Sequence, residues 1–370
     1  MKIIIITQKF LQGKMTGAEK FAYNLAINLV KKGHEVIVLT DKENAHKKIK
    51  CEKILFGKNK IIRKLLLDYF NPFFKLSINK ILKKYNPDII HIHNFYGMGI
   101  YQINRLSMRF PIIITLHDFF ICCYKATMSV NGKLCNKKCN NCYFFLGNIH
   151  RFLIQKFFNN IKLISPSKAL LKEVKQLMPQ NNINLLRYGI DFPRYSTKYR
   201  KYILFVGRLC YEKGLQTIIE VLNKINDYKI LILGEGYLKQ VLEEKYKNVK
   251  FLGFINPQKY YKIASILIAP SIYMDNFPNS ILEAMSYGIC VIASNIGGIS
   301  EQITHNKTGL LFRPNDKKDF EKKLNFLLKN ENEIRRMGKN ARKFVKEKFS
   351  WDIIIKKYEK IYKQTIKDFK

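Results

Sequence analysis

Two doubly wound α/β domains are what this sequence predicts, and three observations predict them. Short β-branched runs recur, each followed by a helical pattern. The recurrence stops at a polar, aromatic stretch, "RYGIDFPRYSTKYRK" (187 to 201), and then starts again. The chain has 370 residues, which suits two domains of middling size, and a hydrophobic content of 47% supplies a core for each. Near-continuous apolar strands alternating with helices mean parallel sheets covered on both faces.

The strands follow in order. In the first half they are "KIIIIT" (2 to 7), "HEVIVLT" (34 to 40), "PDIIHIH" (87 to 93), "PIIITLHD" (111 to 118) and "IKLISPS" (161 to 167). In the second they are "YILFVGR" (202 to 208), "YKILILGEG" (228 to 236), "VKFLGFI" (249 to 255), "SILIAPS" (265 to 271) and "ICVIASN" (289 to 295). The expected domains are residues 1–190 and 191–350, with a closing helical segment, 351–370, crossing back to the first from Trp351.

In such sheets ligands bind beyond the carboxyl ends of the strands, at a crevice. Those ends hold the unusual residues here: His117-Asp118, Gly207-Arg208, Gly234-Glu235-Gly236, and the turn beyond Pro270-Ser271. Their convergence argues for a cleft between the domains. In "GRLCYEKG" (207 to 214), Arg208 ends a strand and Lys213 leads into a helix. A guanidinium fork and an ammonium at a βα junction can hold two phosphates together, and Gly207 and Gly214 allow close backbone approach. The turn "YMDNFPNSILEAMSYG" (273 to 288) reads likewise. Asn276 or Asn279 can cap its helix, the amides near Ser280 and Ile281 are then left to face an anion, and Glu283 in the first turn suits a ribose diol. Asp275, just before, is placed to accept from sugar hydroxyls.

Composition bounds the partners. With 66 Lys+Arg against 28 Asp+Glu the formal charge is +38, which favours polyanions, an anionic bilayer surface or phosphorylated ligands, or else reflects a general Lys and Ile bias. No stretch reaches the roughly 18 continuous apolar residues of a membrane span, so a cytoplasmic protein, free or bound at the inner membrane face, is expected. The eight cysteines fit that compartment as thiols. Cys135, Cys139 and Cys142, with Cys122 or Cys123, have spacing that can form a structural zinc site, the other reading being free thiols. The segments 60–84 and 150–162 interleave Lys or Arg with Phe, Leu and Ile, a pattern of either a membrane-surface helix or an amphipathic helix packed on the sheet with its basic residues outward.

Taken together, "TGAEKFAYNLAINLVKKGHEVIVLT", "HIHN", "TLHD", "SPSKAL", "YGID", "GRLCYEKG", "LGEGYLKQVLEE", "VKFLGFI", "DNFPNSILEAMSYGICVIASNIGGISEQI" and "TGLLF" resemble, in order and over nearly the whole chain, the retaining glycosyltransferases of family 4, which have the GT-B fold of two Rossmann-like domains. The resemblance implies that the first domain binds the acceptor and the second a nucleotide-sugar, a UDP- or GDP-sugar. It implies that Arg208 and Lys213 bind the donor's diphosphate and Glu283 its ribose. Asp275 stands where the family has the first glutamate of E-x7-E and, with the backbone around Asn276 and Phe277, is expected to meet the donor sugar. His117 matches the family's active-site histidine. Gly17 matches a glycine whose amide approaches the donor phosphate, Thr16 replacing a second glycine, and Phe254 falls where the nucleobase is cradled, beyond Glu235.

The implied reaction retains anomeric configuration by front-face substitution, with cations stabilising the departing diphosphate in place of a metal ion. No cofactor is required, and the acceptor is expected to be a glycan, lipid-linked, in cell-surface polysaccharide synthesis. Arg208→Ala and Lys213→Ala are each expected to lower turnover more than about tenfold with the fold intact. Two rivals are a sugar-nucleotide epimerase of similar architecture and a basic nucleic-acid-binding protein. The second predicts steeply salt-dependent binding to nucleic acid, and no RNA-binding aromatic motif or helix-turn-helix pattern favours it.

Overall fold

The apolar runs become strands because their side chains have nowhere else to go. Ile3, Ile4, Ile5 and Ile6 are fully buried, as are Ile89 and Ile90 beside them. The computed structural model describes residues 1–8, 10, 15–41, 49–56, 67–130, 133–135, 146–193 and 201–369. The chain divides into two units, one of Met1–Ala126, Lys137–Gly189 and Trp351–Lys370, the other of Thr127–Asn136 and Ile190–Ser350.

In the first unit the strands are β1 (Lys2–Ile6), β2 (Glu35–Thr40), β3 (Lys50–Lys53), β4 (Ile89–His93), β5 (Ile112–Thr115), β8 (Lys162–Ser165) and β9 (Ile183–Leu185), with a short hairpin of β6 (Ser129–Val130) and β7 (Lys133–Leu134) between β5 and β8 in sequence and grouped with the second unit. The seven-stranded sheet is parallel in the order β3-β2-β1-β4-β5-β8-β9. Its helices are α1 (Gly17–Lys31), α2 (Pro72–Tyr85), α3 (Ile100–Ser107), α4 (Leu146–Phe158) and α5 (Lys168–Leu177).

The second unit repeats the plan. Its strands β10 (Tyr202–Val206), β11 (Lys229–Leu233), β12 (Val249–Phe251), β13 (Ile266–Ala269), β14 (Cys290–Ser294) and β15 (Gly309–Phe312) lie in the order β12-β11-β10-β13-β14-β15. The helices are α6 (Leu215–Asn223), α7 (Lys239–Lys245), α8 (Gln258–Tyr261), α9 (Asn279–Ser286), α10 (Lys317–Leu328) and α11 (Glu331–Phe349). A last helix, α12 (Trp351–Phe369), belongs to the first unit, where the Trp351 ring lies so close to Gly189 that a β-carbon there would sit 2.4 Å from it.

Helix boundaries follow local chemistry. Asn71 caps α2 by accepting the Phe74 amide at 3.0 Å, with Pro72 as the first helical residue, and Asn86, left-handed at φ 43°, ends it. Ser167 and Asp316 cap α5 and α10 in the same way, at 3.0 and 2.9 Å.

In each sheet the strand order reverses once, between β1 and β4 and between β10 and β13. Chains leave these pairs toward opposite faces, opening a crevice at the carboxyl ends. The residues described next gather at those ends.

Candidate functional site

Two sets of residues, one per unit, carry the predicted chemistry. In the second unit Arg208 follows β10 and Tyr273 to Asn276 follow β13, the two strands of the reversal. Glycines bring the loops together. Gly214 is left-handed at φ 72°, and a β-carbon on it would lie 1.9 Å from the Pro270 carbonyl oxygen; a β-carbon on Gly234 would lie 1.8 Å from that of Gly207. The Ile272 amide donates to the Glu212 carbonyl at 3.0 Å, tying the loop after β13 to the turn that carries Lys213.

Arg208 is exposed, but Lys213 is not. The Lys213 ammonium pairs with the Asp275 carboxylate and lies 5.3 Å from the Tyr273 ring centroid. Both partners are largely buried, with side-chain exposures of 18% and 11%. Ser271 Oγ donates to the same carboxylate oxygen at 3.3 Å. Burial works against charge on Lys213, yet Asp275 and Tyr273 outweigh it and hold its pKa above the ordinary range, so the ammonium stays protonated. Burial, reinforced by Asp275, pushes Tyr273 up to about 12, leaving it a neutral phenol. The sequence reading gave Lys213 to phosphate and Asp275 to sugar hydroxyls; the structure adds that the two are paired with each other.

Helix α9 departs from the sequence reading. Pro278 occupies the position before it, so neither Asn276 nor Asn279 is the cap, and Asn279 is its first residue. The Ile281 amide is not left over, because it donates to the Pro278 carbonyl at 3.3 Å. Gln302 Nε2 reaches the same carbonyl at 3.0 Å. Proline fixes the backbone before the helix without a side-chain cap, which is why the tightened turn uses its own carbonyl. Glu283 falls in the second turn rather than the first; it accepts the Tyr261 hydroxyl at 3.0 Å. Asn276 and Phe277 are buried, the Phe277 ring against Phe349 at 5.9 Å, while Ser280 is half-buried.

Further along the sheet edge, Glu235 follows β11 and pairs with Lys239 at 2.8 Å, and its backbone carbonyl takes the Leu209 amide. Gly207 donates to Leu233 at 3.0 Å. Phe254, just past β12, is 53% exposed. The strand order thus sets Phe254, Glu235, Arg208 and the Asp275 turn side by side.

The first unit presents a chain of imidazoles. His117, after β5, meets His93 at the end of β4, Nε2 to Nδ1 at 2.9 Å, and its Nδ1 lies 2.7 Å from the Tyr188 hydroxyl. His91, one strand period back, joins Thr115 and Tyr362 of α12, each at 2.7 Å. Burial pushes His117 down to about 3, burial with His117 near by does the same to His91, and burial followed by His91 and His117 takes His93 well below its ordinary value. All three are neutral rings, each with one N–H and one lone pair. His93 Nε2 is buried with no hydrogen-bond partner among the described residues. An unpaired acceptor is tolerated more readily than an unpaired N–H. The proton of His93 therefore sits on Nδ1 and is donated to His117 Nε2, which leaves His117 donating from Nδ1 to Tyr188.

Gly17 is exposed as the first residue of α1, and the Glu19 carboxylate accepts the Thr16 amide at 2.7 Å. Asp118 caps the turn after His117 by accepting the Phe120 amide at 2.9 Å and takes the Tyr96 hydroxyl at 2.7 Å. Cys122 is buried and Cys135 half-buried; Cys139 and Cys142 lie outside the described residues, among which no group of three or more His, Cys, Asp or Glu could hold a metal ion.

Sequence reasoning missed His93, Tyr188, Tyr261 and Ser271. For His93 the signal was present: two histidines two apart in an apolar strand share a face and, once buried, need partners. Nothing in "QKYYK" marks Tyr261 as the partner of Glu283.

Comparisons with known proteins identify the family and the fold. A model described as Glycosyltransferase Family 4 matches residues 15–194, and one described as Glycosyl transferases group 1 matches 191–344. An uncharacterised glycosyltransferase of Methanocaldococcus jannaschii is 27% identical over 98% of both chains. Among solved structures, sucrose-phosphate synthase from Thermosynechococcus elongatus superposes with a TM-score of 0.81 at 19% identity, covering 98% of each chain. Anabaena HepE in complex with UDP-glucose gives 0.75 at 17%, covering 98% of this chain and 100% of its own.

Proposed function

Since the chain belongs to the family 4 glycosyltransferases and has their GT-B fold, we propose that it is a retaining enzyme that moves a hexose from a UDP- or GDP-sugar to a glycan acceptor, lipid-linked, in cell-surface polysaccharide synthesis at the inner face of the membrane. Residues 191–350 hold the donor, and residues 1–190 with the crossing segment 351–370 hold the acceptor. The observation that carries the reading is the placement of Arg208 and Lys213 at the strand reversal of the second sheet, where doubly wound sheets bind phosphorylated ligands. Support for a nucleotide-sugar also comes from the likeness to a HepE structure that contains UDP-glucose.

In this mechanism the guanidinium and ammonium stabilise charge that grows on the diphosphate as the glycosidic bond lengthens. The leaving diphosphate takes the proton of the acceptor hydroxyl that enters on the same face. Lys213 meets the diphosphate by exchanging Asp275 for a phosphate oxygen. Glu283, oriented by Tyr261, accepts from the ribose diol, and the exposed Phe254 ring packs on the base side. His117 is neutral with both ring nitrogens engaged, so it meets a sugar hydroxyl by exchanging His93 or Tyr188 for it and not as a charged acid.

Calorimetric titration with UDP and GDP, followed by NMR assignment of the product anomer, tests the proposal. Saturable binding of one diphosphate, weakened at least about tenfold by Arg208→Ala, and a retained anomer are expected. Absence of binding, indifference to Arg208→Ala, or an inverted product overturns it.

A further inference from the structure

We infer that the outer face of α2 and α4 in the first unit docks on an anionic lipid bilayer. The inference deepens the proposed function by giving a lipid-linked acceptor a surface to be met on, and its test does not depend on turnover.

Helix α2 buries Phe74, Ile78, Ile81 and Leu82 against its own unit. An amphipathic helix of a soluble protein turns a polar face outward. Here the outward row starts apolar: Phe73 is 56% and Leu76 71% exposed, and the positions that continue the row are Lys80 and Lys83, also exposed. Helix α4 repeats the arrangement, with Ile149 at 46% and Phe152 at 60% exposure followed by exposed Lys156. The two rows are bridged by rings. Phe70, 54% exposed, stands 6.0 Å from Tyr101 of α3, which meets Phe157 of α4 edge-on at 5.7 Å. The Lys156 ammonium lies 5.5 Å from the Phe157 ring and 6.0 Å from that of Phe152. Large apolar side chains are thus held in water next to ammonium groups, the composition of an interfacial surface.

Charge selects the partner. Between Tyr69 and Lys172 the only acidic residues in the sequence are Asp88 and Asp118, and α2, α3 and α4 contain none. Asp88 accepts the Lys2 amide and Asp118 the Tyr96 hydroxyl and Phe120 amide, so both are engaged elsewhere. Each lysine near an anionic leaflet adds to attraction, while the apolar side chains enter the headgroup region. A nucleic acid would use the lysines and the rings, but the aliphatic Leu76 and Ile149 offer no face on which a base stacks. A bilayer uses all of them.

The test is flotation of the full chain with phosphatidylcholine vesicles that contain or lack phosphatidylglycerol. The parent should float only with phosphatidylglycerol. Phe73→Ser with Leu76→Ser and Phe152→Ser should lower the partition coefficient at least about tenfold, and Lys80→Glu with Lys83→Glu and Lys156→Glu by a similar factor. Both triple variants should keep the parent's melting temperature and its affinity for nucleoside diphosphate, since all six positions are exposed and remote in sequence from Arg208. No phosphatidylglycerol-dependent flotation, or flotation that survives both triple changes, overturns the inference whatever the donor titration gives. So does parent binding to single-stranded DNA that the serine variant loses in step with vesicle binding, because the face would then be a stacking surface.

Discussion

Lys213→Ala and Arg208→Ala should agree in turnover and part company in stability. Sequence alone treats the two cations as equals, each removable with the fold intact. In the structure Lys213 is paired with Asp275 at side-chain exposures of 18% and 11%, whereas Arg208 is exposed. Breaking a buried pair by removing one member costs about 3–5 kcal/mol, because the other charge stays behind without compensation. Ser271 remains on Asp275 and both side chains keep some contact with water, so the expected cost is about 2–3 kcal/mol. For a unit of this size that is a fall in melting temperature of about 5–10 °C. Arg208→Ala should cost less than about 1 kcal/mol. Adding Asp275→Asn to Lys213→Ala removes the stranded charge and should restore about 1–2 kcal/mol, a coupling that calorimetric melting of the four proteins in the cycle measures directly. Turnover should fall more than about tenfold for each single alanine variant. If Lys213→Ala melts with the parent, or Asp275→Asn gives no rescue, the pair does not hold the loop after β13 and the argument fails.

Other expectations are more compact. Acid should destabilise the first unit: with folded pKa values of about 3 for His91 and His117 and an unfolded value near 6.5, the unfolded chain binds more protons in between, so stability is full above about pH 6.5 and declines as pH falls toward 3. At pH 5 the loss is about 2 kcal/mol for each ring, and an unchanged urea midpoint between pH 7.5 and about pH 5 would contradict it. Gly214→Ala puts a β-carbon 1.9 Å from the Pro270 carbonyl oxygen at a left-handed φ, and should cost at least about 3 kcal/mol by thermal melting; a loss under about 1 kcal/mol would mean the loops after β10 and β13 are not packed as described. Tyr261→Phe removes the hydrogen bond to Glu283 and should raise KM for the nucleotide-sugar severalfold with kcat little changed; unaltered KM would separate Glu283 from donor binding.

Both sheets were legible because each strand that is buried on both faces spells itself as an apolar run. The strands that escaped notice are the ones with other means of support. β3, "KCEK", lies at the sheet edge with two half-buried residues between two exposed lysines, so it has no apolar signature, and β9, "INL", is three residues long. β15, "GLLF", was recognised as a motif and not as a strand. The site was legible where a residue type announces its chemistry, as with Arg208 and His117. It was illegible where function depends on a partner brought from afar. Asp275 lies 62 residues from Lys213 and Tyr188 lies 71 from His117, separations across which no local pattern operates. The helix start at Pro278 was misjudged for the opposite reason: the neighbouring asparagines are such good caps that they concealed a turn closed by backbone and by Gln302.

The late position of α12 constrains how the protein is made. Trp351 fills the space beside Gly189, and Tyr362 supplies the partner of a ring nitrogen on His91, a residue synthesised some 270 positions earlier. While the ribosome is still translating the second sheet, the first must wait with an aromatic gap in its wall and an imidazole lacking its phenol. Nascent chains paused before residue 351 should therefore carry a loosely folded amino-terminal half, vulnerable to protease, which tightens only when the final helix emerges.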